Sequence, residues 1–220
     1  MKDKNYSSID DLVRTVKAGG VYERMALAYA PHLYWLLPYV EKLGKAKMVE
    51  CGVAKGGVIA CCSKVNPELE VIGLDSWEPM PDFTEKDNAE VCEPWKNMSW
   101  GTPQDVYNTY KTLQAPTDKL TLIKGWFEDT IPPNIDKFND LDILRIDSDY
   151  YDSIKYCLDT LYDKVKPGGV IIFDDWTWNL KGVSAALNDF LDDRGIERVK
   201  INTHGNDGPG WFSKPSKDVN

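Results

Sequence analysis

Five short apolar segments, residues 47–53, 70–75, 120–124, 141–147 and 170–173, each meet glycine or aspartate at their C-terminal end. They are too short for independent helices and nearly continuous in apolar character, as expected of strands buried on both faces. Between them lie stretches with helical character, at 56–65, 103–114, 153–165 and 180–194. Strands alternating with helices imply parallel βαβ units and a doubly wound α/β sheet. Two further segments, 197–202 and 210–214, read as closing strands that form an antiparallel hairpin, for seven in all. Helical signals flank the pattern. Thr102-Pro103 is a cap followed by a first-turn proline, and Lys166-Pro-Gly-Gly169 is a stop. Residues 21–43 read as helix, with Pro31 and Pro38 expected to break it.

A chain of 220 residues suits one such domain, here divided into a helical segment 1–46 and a domain 47–220 carrying a lid at about 78–102. The formal charge of −9 argues against a nucleic-acid partner, which calls for a basic face. No run approaches the roughly 18 apolar residues of a membrane span. The N-terminus lacks a signal-peptide pattern. The five cysteines have no CxxC spacing, so buried free thiols and a cytoplasmic setting are expected. The acidic surplus is unevenly made, with 24 Asp against 11 Glu.

Open parallel sheets bind ligands beyond the carboxyl ends of their strands. After the first strand comes Glu50-Cys-Gly-Val-Ala-Lys-Gly-Gly57, whose Gly52 and Gly56 let backbone pass close to a ligand. The spacing is neither GxGxxG nor a phosphate loop. After the second strand comes Asp75, an acid placed to accept from two ribose hydroxyls. Together these suit a nucleoside cofactor without a pyrophosphate. After the fourth strand come Asp147 and Asp149, and after the fifth Asp174 and Asp175. Carboxylates crowded into one crevice repel one another, and a hard divalent cation such as Mg²⁺ relieves that cost. The plainer alternative is structural: Asp149 or Asp152 could cap the helix that follows, and Asp175 could bind loop amides.

The chain resembles the macrocin O-methyltransferase (TylF-like) family. The resemblance rests on Val49-Glu-Cys-Gly-Val-Ala-Lys-Gly-Gly57, Gly125-Trp-Phe-Glu-Asp-Thr-Ile-Pro132, Leu144-Arg-Ile-Asp-Ser-Asp-Tyr-Tyr-Asp-Ser153 and Phe173-Asp-Asp-Trp176. It implies a Rossmann-like class I fold and methyl transfer from S-adenosylmethionine, with Mg²⁺, to a hydroxyl of a sugar or other natural-product acceptor. A homo-oligomer is also implied. Glu50 and Gly52 would then border the methionine part of the cofactor, with Val53 and Gly56 in the same turn. Asp75 would meet the ribose, and Ser76, Trp126 and Phe127 would lie near the adenine. Asp147, Asp174 and Asp175 match the family's metal ligands. Asp149 matches its general base, and Asp147 joins it in the catalytic set and also borders the cofactor. Two other readings compete: a catechol-type O-methyltransferase acting on an aromatic diol, and a non-catalytic nucleoside-binding module. His204 and the aromatic residues Trp77, Phe83, Trp95, Trp100, Trp176 and Trp178 are further candidates around the acceptor.

Overall fold

The computed structural model describes residues 8–18, 30–176, 180–203 and 209–215. Helices α1 (Ile9–Ala18) and α2 (Ala30–Lys42) precede β1 (Ala46–Cys51). Helix α3 (Gly57–Val65) leads to β2 (Leu69–Asp75), and a lid containing the one-turn helix α4 (Ala89–Cys92) leads to α5 (Pro103–Leu113) and β3 (Leu120–Lys124). Then come α6 (Phe127–Thr130), β4 (Leu141–Ile146), α7 (Tyr151–Leu161), β5 (Val165–Phe173), α8 (Lys181–Asp193), β6 (Asn202–Thr203) and β7 (Gly210–Ser213).

The strands form one sheet in the order β3-β2-β1-β4-β5-β7-β6. The first five are parallel, and β7 runs antiparallel to both β5 and β6. This is the expected mostly parallel α/β sheet with an antiparallel C-terminal pair. The chain winds outward from β1 through β2 to β3, then returns to β4 on the other side. That reversal puts the topological switch point between β1 and β4, where such sheets open a crevice.

Period-two alternation along the strands builds two cores. Met48, Ile143 and Ile172 face one layer with Leu37, Ile59 and Tyr110. Val49, Leu144, Ile171 and Phe173 face the other with Ile154, Leu158 and Phe190. Leu12 of α1 and Leu33 and Leu36 of α2 belong to the first core, so these N-terminal helices are built into the sheet's own packing. All five cysteines are buried free thiols. No helix among the described residues is long and apolar enough to cross a membrane.

Three elements differ from expectation. Helix α2 runs through Pro38. An interior proline costs about 3 kcal/mol, but Leu36, Leu37 and Val40 around it are fully buried, at about 1.5–3 kcal/mol each. The Pro167-Gly168-Gly169 stop lies inside β5, where Gly168 N and Gly169 O bond the backbone of Lys214. The strand expected at 197–202 shortens to Asn202–Thr203. Arg198 instead bonds Asp192 of α8 at 2.8 Å, which draws that segment onto the helix and away from the sheet edge.

Candidate active site

The turn after β1 leans directly on the end of β4. Gly52 adopts φ +87°, and a Cβ there would stand 1.7 Å from the carbonyl oxygen of Asp147. Its N–H donates to Leu74 O at 2.8 Å, while Asp147 N donates to Cys51 O at 2.8 Å. Asp75 ties the same turn down. Its Oδ2 accepts from Val53 N and Ala54 N, each at 2.8 Å, and its Oδ1 accepts from Trp77 N at 2.7 Å. The Trp77 indole closes the loop by donating to Ala54 O at 2.8 Å.

Asp147, Asp149 and Asp175 converge at the ends of β4 and β5, each offering a carboxylate oxygen within 4.8 Å of the other two. Asp149 sits at φ +60°, a left-handed conformation uncommon outside glycine, and aspartate is among the side chains that tolerate it best. Asp174 turns away from this group and pairs with Nη2 of Arg145. Nη1 of Arg145 bonds Asp147 at 2.8 Å and Glu50 at 2.6 Å. Burial pushes the Asp147 carboxyl well above the ordinary carboxylate range, Asp174 adds to the rise, and Arg145 opposes it. Burial likewise raises Asp149 to about 6, against a hydrogen bond with Asp175 that lowers it. Asp175 is raised well above the ordinary range by burial and then by the Asp149 charge. Three converging oxygen donors that resist ionising together are the donor set a hard divalent cation fits.

These carboxylates floor a cavity of about 750 Å³, within the span of small-molecule sites. Among the residues expected to form the site, Gly52, Asp75, Ser76, Trp126, Phe127, Asp147, Asp149, Asp174 and Asp175 line it. Met80, Trp95 and Trp100 of the lid supply an apolar wall, with Trp95 edge-on to Trp100 at 6.5 Å. Glu50, Val53 and Gly56 do not line the cavity. Glu50 lies beneath it against Arg145. Val53 is buried in the first core, and left-handed Gly56 backs onto Val106 of α5. His204 and Trp178 lie outside the described residues.

Arg145 is the site residue that sequence reasoning missed. A signal was present: an arginine stands in the buried part of β4 two residues before Asp147, as Glu50 stands two residues before Gly52. Two opposite charges at matching depth in adjacent buried strands are a pair waiting to meet.

The model of the family "Macrocin-O-methyltransferase (TylF)" matches residues 41–207. Mycinamicin III 3''-O-methyltransferase of Micromonospora griseorubida is 27% identical over 174 residues, which is 72% of this chain and 66% of that protein. Demethyldecarbamoylnovobiocin O-methyltransferase of Streptomyces niveus is 27% identical over 138 residues, 59% of this chain and 52% of that protein. The chain thus spans between about half and just under two thirds of the length of these relatives. Among solved structures, the O-methyltransferase NovP superposes with a TM-score of 0.74 at 21% identity, covering 94% of this chain and 98% of its own.

Proposed function

The chain belongs to the macrocin-O-methyltransferase (TylF) family, and on that premise we propose that it is an S-adenosylmethionine-dependent, Mg²⁺-dependent O-methyltransferase acting on a hydroxyl of a sugar or other natural-product acceptor. The observation that carries this reading is the convergence of Asp147, Asp149 and Asp175 within 4.8 Å on the floor of a cavity at the switch point.

In this reading Asp147 and Asp175 would hold the divalent cation, with Asp149 beside them and Asp174 braced by Arg145. A divalent cation held there would supply Lewis-acid chemistry, making an acceptor hydroxyl easier to deprotonate. Asp149, whose carboxylate lies within 4.8 Å of Asp147 and Asp175, is the group suited to accept that proton. Gly52 keeps the cavity wall at backbone height for the methionine part of the cofactor. Asp75 presents its carboxylate to the ribose while holding the turn through Val53 and Ala54. Trp126 and Phe127, which line the cavity, are assigned to the adenine. The sulfonium is already reactive, so alignment of acceptor oxygen and methyl group is the protein's main contribution.

The experiment is a screen of glycosides and phenolic diols for S-adenosylhomocysteine release, with and without EDTA. Turnover is expected with Mg²⁺, to vanish in EDTA and to vanish in Asp147→Ala. Turnover that survives both treatments would sink the metal-dependent reading. The substrates named for the relatives are the first to include.

A further inference from the structure

The lid reaches across the cavity and supplies the first hydrogen-bond acceptors of two helices it does not belong to. The N–H that opens α7, on Tyr151, donates to Asp87 Oδ1 at 2.9 Å. The N–H that opens α8, on Lys181, donates to Asn88 Oδ1 at 3.0 Å. Neither helix has a side-chain cap from its own preceding residue, Tyr150 or Leu180. The opening N–H groups of a helix have no partner within it, so consecutive lid residues fill a need that both helices leave open. The other oxygen of Asp87 accepts from Thr84 N at 2.9 Å and from the Thr84 hydroxyl at 3.0 Å, which folds the lid around the carboxylate. Asp87 is 8% exposed, and an anion between two helix N-termini is favoured by both macrodipoles.

The fit is close. A Cβ on Gly182 of α8 would stand 2.0 Å from Asp87 Oδ1, so glycine at this helical position makes room for the carboxylate. Phe83 of the lid adds an edge-on contact to the Tyr150 ring at 6.2 Å, and Lys86 bonds the Tyr151 hydroxyl at 2.9 Å. The contacts that the lid makes to α7 through Phe83, Lys86 and Asp87 fall on Tyr150 and Tyr151, which directly follow left-handed Asp149.

We propose that Asp87 is a positioning residue: its carboxylate fastens the lid to the first turn of α7 while Asn88 beside it holds that of α8, and by holding Tyr151 it keeps Asp149 in the conformation that faces Asp147 and Asp175. Lid seating and carboxylate geometry are then one unit, since the lid cannot lift without uncapping both helices. The role of Asp149 toward a cation rests on the reading given under Proposed function, whereas the mechanical link from Asp87 to Asp149 does not.

Asp87→Ala, Gly182→Ala and the double variant decide the matter, with two readouts taken well below each melting temperature. These are amide hydrogen exchange over residues 79–100 and 148–153, and calorimetric affinity for Mn²⁺ alone. Asp87→Ala is expected to speed exchange about tenfold in both segments and to weaken Mn²⁺ binding about fivefold. Gly182→Ala, at a helical position where alanine is otherwise favoured, is expected to do the same and to add less than twofold in the Asp87→Ala background. Gly182→Ala carries the test if Asp87→Ala does not fold. Exchange that changes in the lid alone, Mn²⁺ affinity within twofold of the parent, or independent effects of the two substitutions would each overturn the proposal. A parent protein that binds no Mn²⁺ would instead overturn the metal-dependent function, and exchange at 148–153 would then decide the role of Asp87 by itself.

Discussion

Glu50 and Arg145 are paired residues across β1 and β4, and their side chains meet at 2.6 Å with 2% and 1% exposure. The same guanidinium serves Asp147 and Asp174, so one buried cation stands among three carboxylates directly beneath the cavity floor. Burial alone would lower the Arg145 pKa, yet Asp174, Asp147 and Glu50 together hold it well above its ordinary value. A buried ion pair is weak evidence of stabilisation, because desolvation offsets its attraction. What Arg145 does is fix orientation: Asp174 turned inward, one oxygen of Asp147 engaged, the other carboxylates left to face the cavity.

Removing one partner of such a group leaves charge buried without a counter-charge. Arg145→Met is expected to lose about 3–5 kcal/mol, read from urea unfolding. Adding Glu50→Leu should recover part of that loss. If the two substitutions instead destabilise independently, the side chains are not coupled as described.

Stability should fall as pH rises through neutrality when no cation is present. Burial pushes the Glu50 carboxyl from 4.5 to about 7, with Arg145 opposing the rise. It also raises Asp149 from 3.8 to about 6. A carboxyl with a higher pKa when folded binds its proton more tightly in that state. Its contribution is therefore complete below the unfolded value and lost as pH climbs through the folded one. For Glu50 that window corresponds to about 3 kcal/mol. Thermal unfolding in EDTA should show a melting temperature that drops between about pH 5 and pH 7.5. A flat profile would contradict the raised carboxyls.

Mg²⁺ should reverse that drop. At a concentration 100-fold above its dissociation constant, a ligand specific for the folded state adds about 2.7 kcal/mol. Asp175→Asn removes one of the three converging carboxylates and should abolish most of this gain while leaving unfolding in EDTA little changed. The comparison is a thermal melt of each protein with and without Mg²⁺, and equal stabilisation of both would place the cation elsewhere.

Gly52→Ala should be among the most damaging small substitutions in the chain. The added methyl would meet Asp147 O at 1.7 Å, a backbone atom that cannot rotate away, and the residue would remain at φ +87°. Left-handed strain alone costs about 1–2 kcal/mol. Gly168, also left-handed at φ +79° but with open space around it, is the control: alanine there carries the strain without the collision. Urea midpoints should separate the two clearly, and similar midpoints would mean the turn after β1 yields easily.

Much of the candidate site is legible in the sequence. Gly52, Asp75 and the four aspartates follow apolar strands, and the carboxyl ends of parallel strands gather at one edge. Trp126 and Phe127 were accessible only through the family resemblance, because no period or cap marks them. Which acids Arg145 meets is not legible locally, because Glu50 comes opposite it only through the register of β1 on β4. The helix boundaries at Pro38 and the shortened β6 depend on burial and on the Arg198–Asp192 contact, neither of which is a local property.

The chain's own pattern determines the layered α/β architecture and the placing of acids at strand ends, since both follow from short-range periodicity and turn chemistry. Tertiary structure alone decides which oxygens meet. Asp174 turns to Arg145, 29 residues away, and so leaves the group formed by Asp147, Asp149 and Asp175. Glu50 lies 95 residues from its arginine, and Asp87 lies 64 from the N–H it caps. Over such separations a partner is chosen by strand register and helix packing, which bring distant residues to contact distance. No local signal in the sequence encodes that distance.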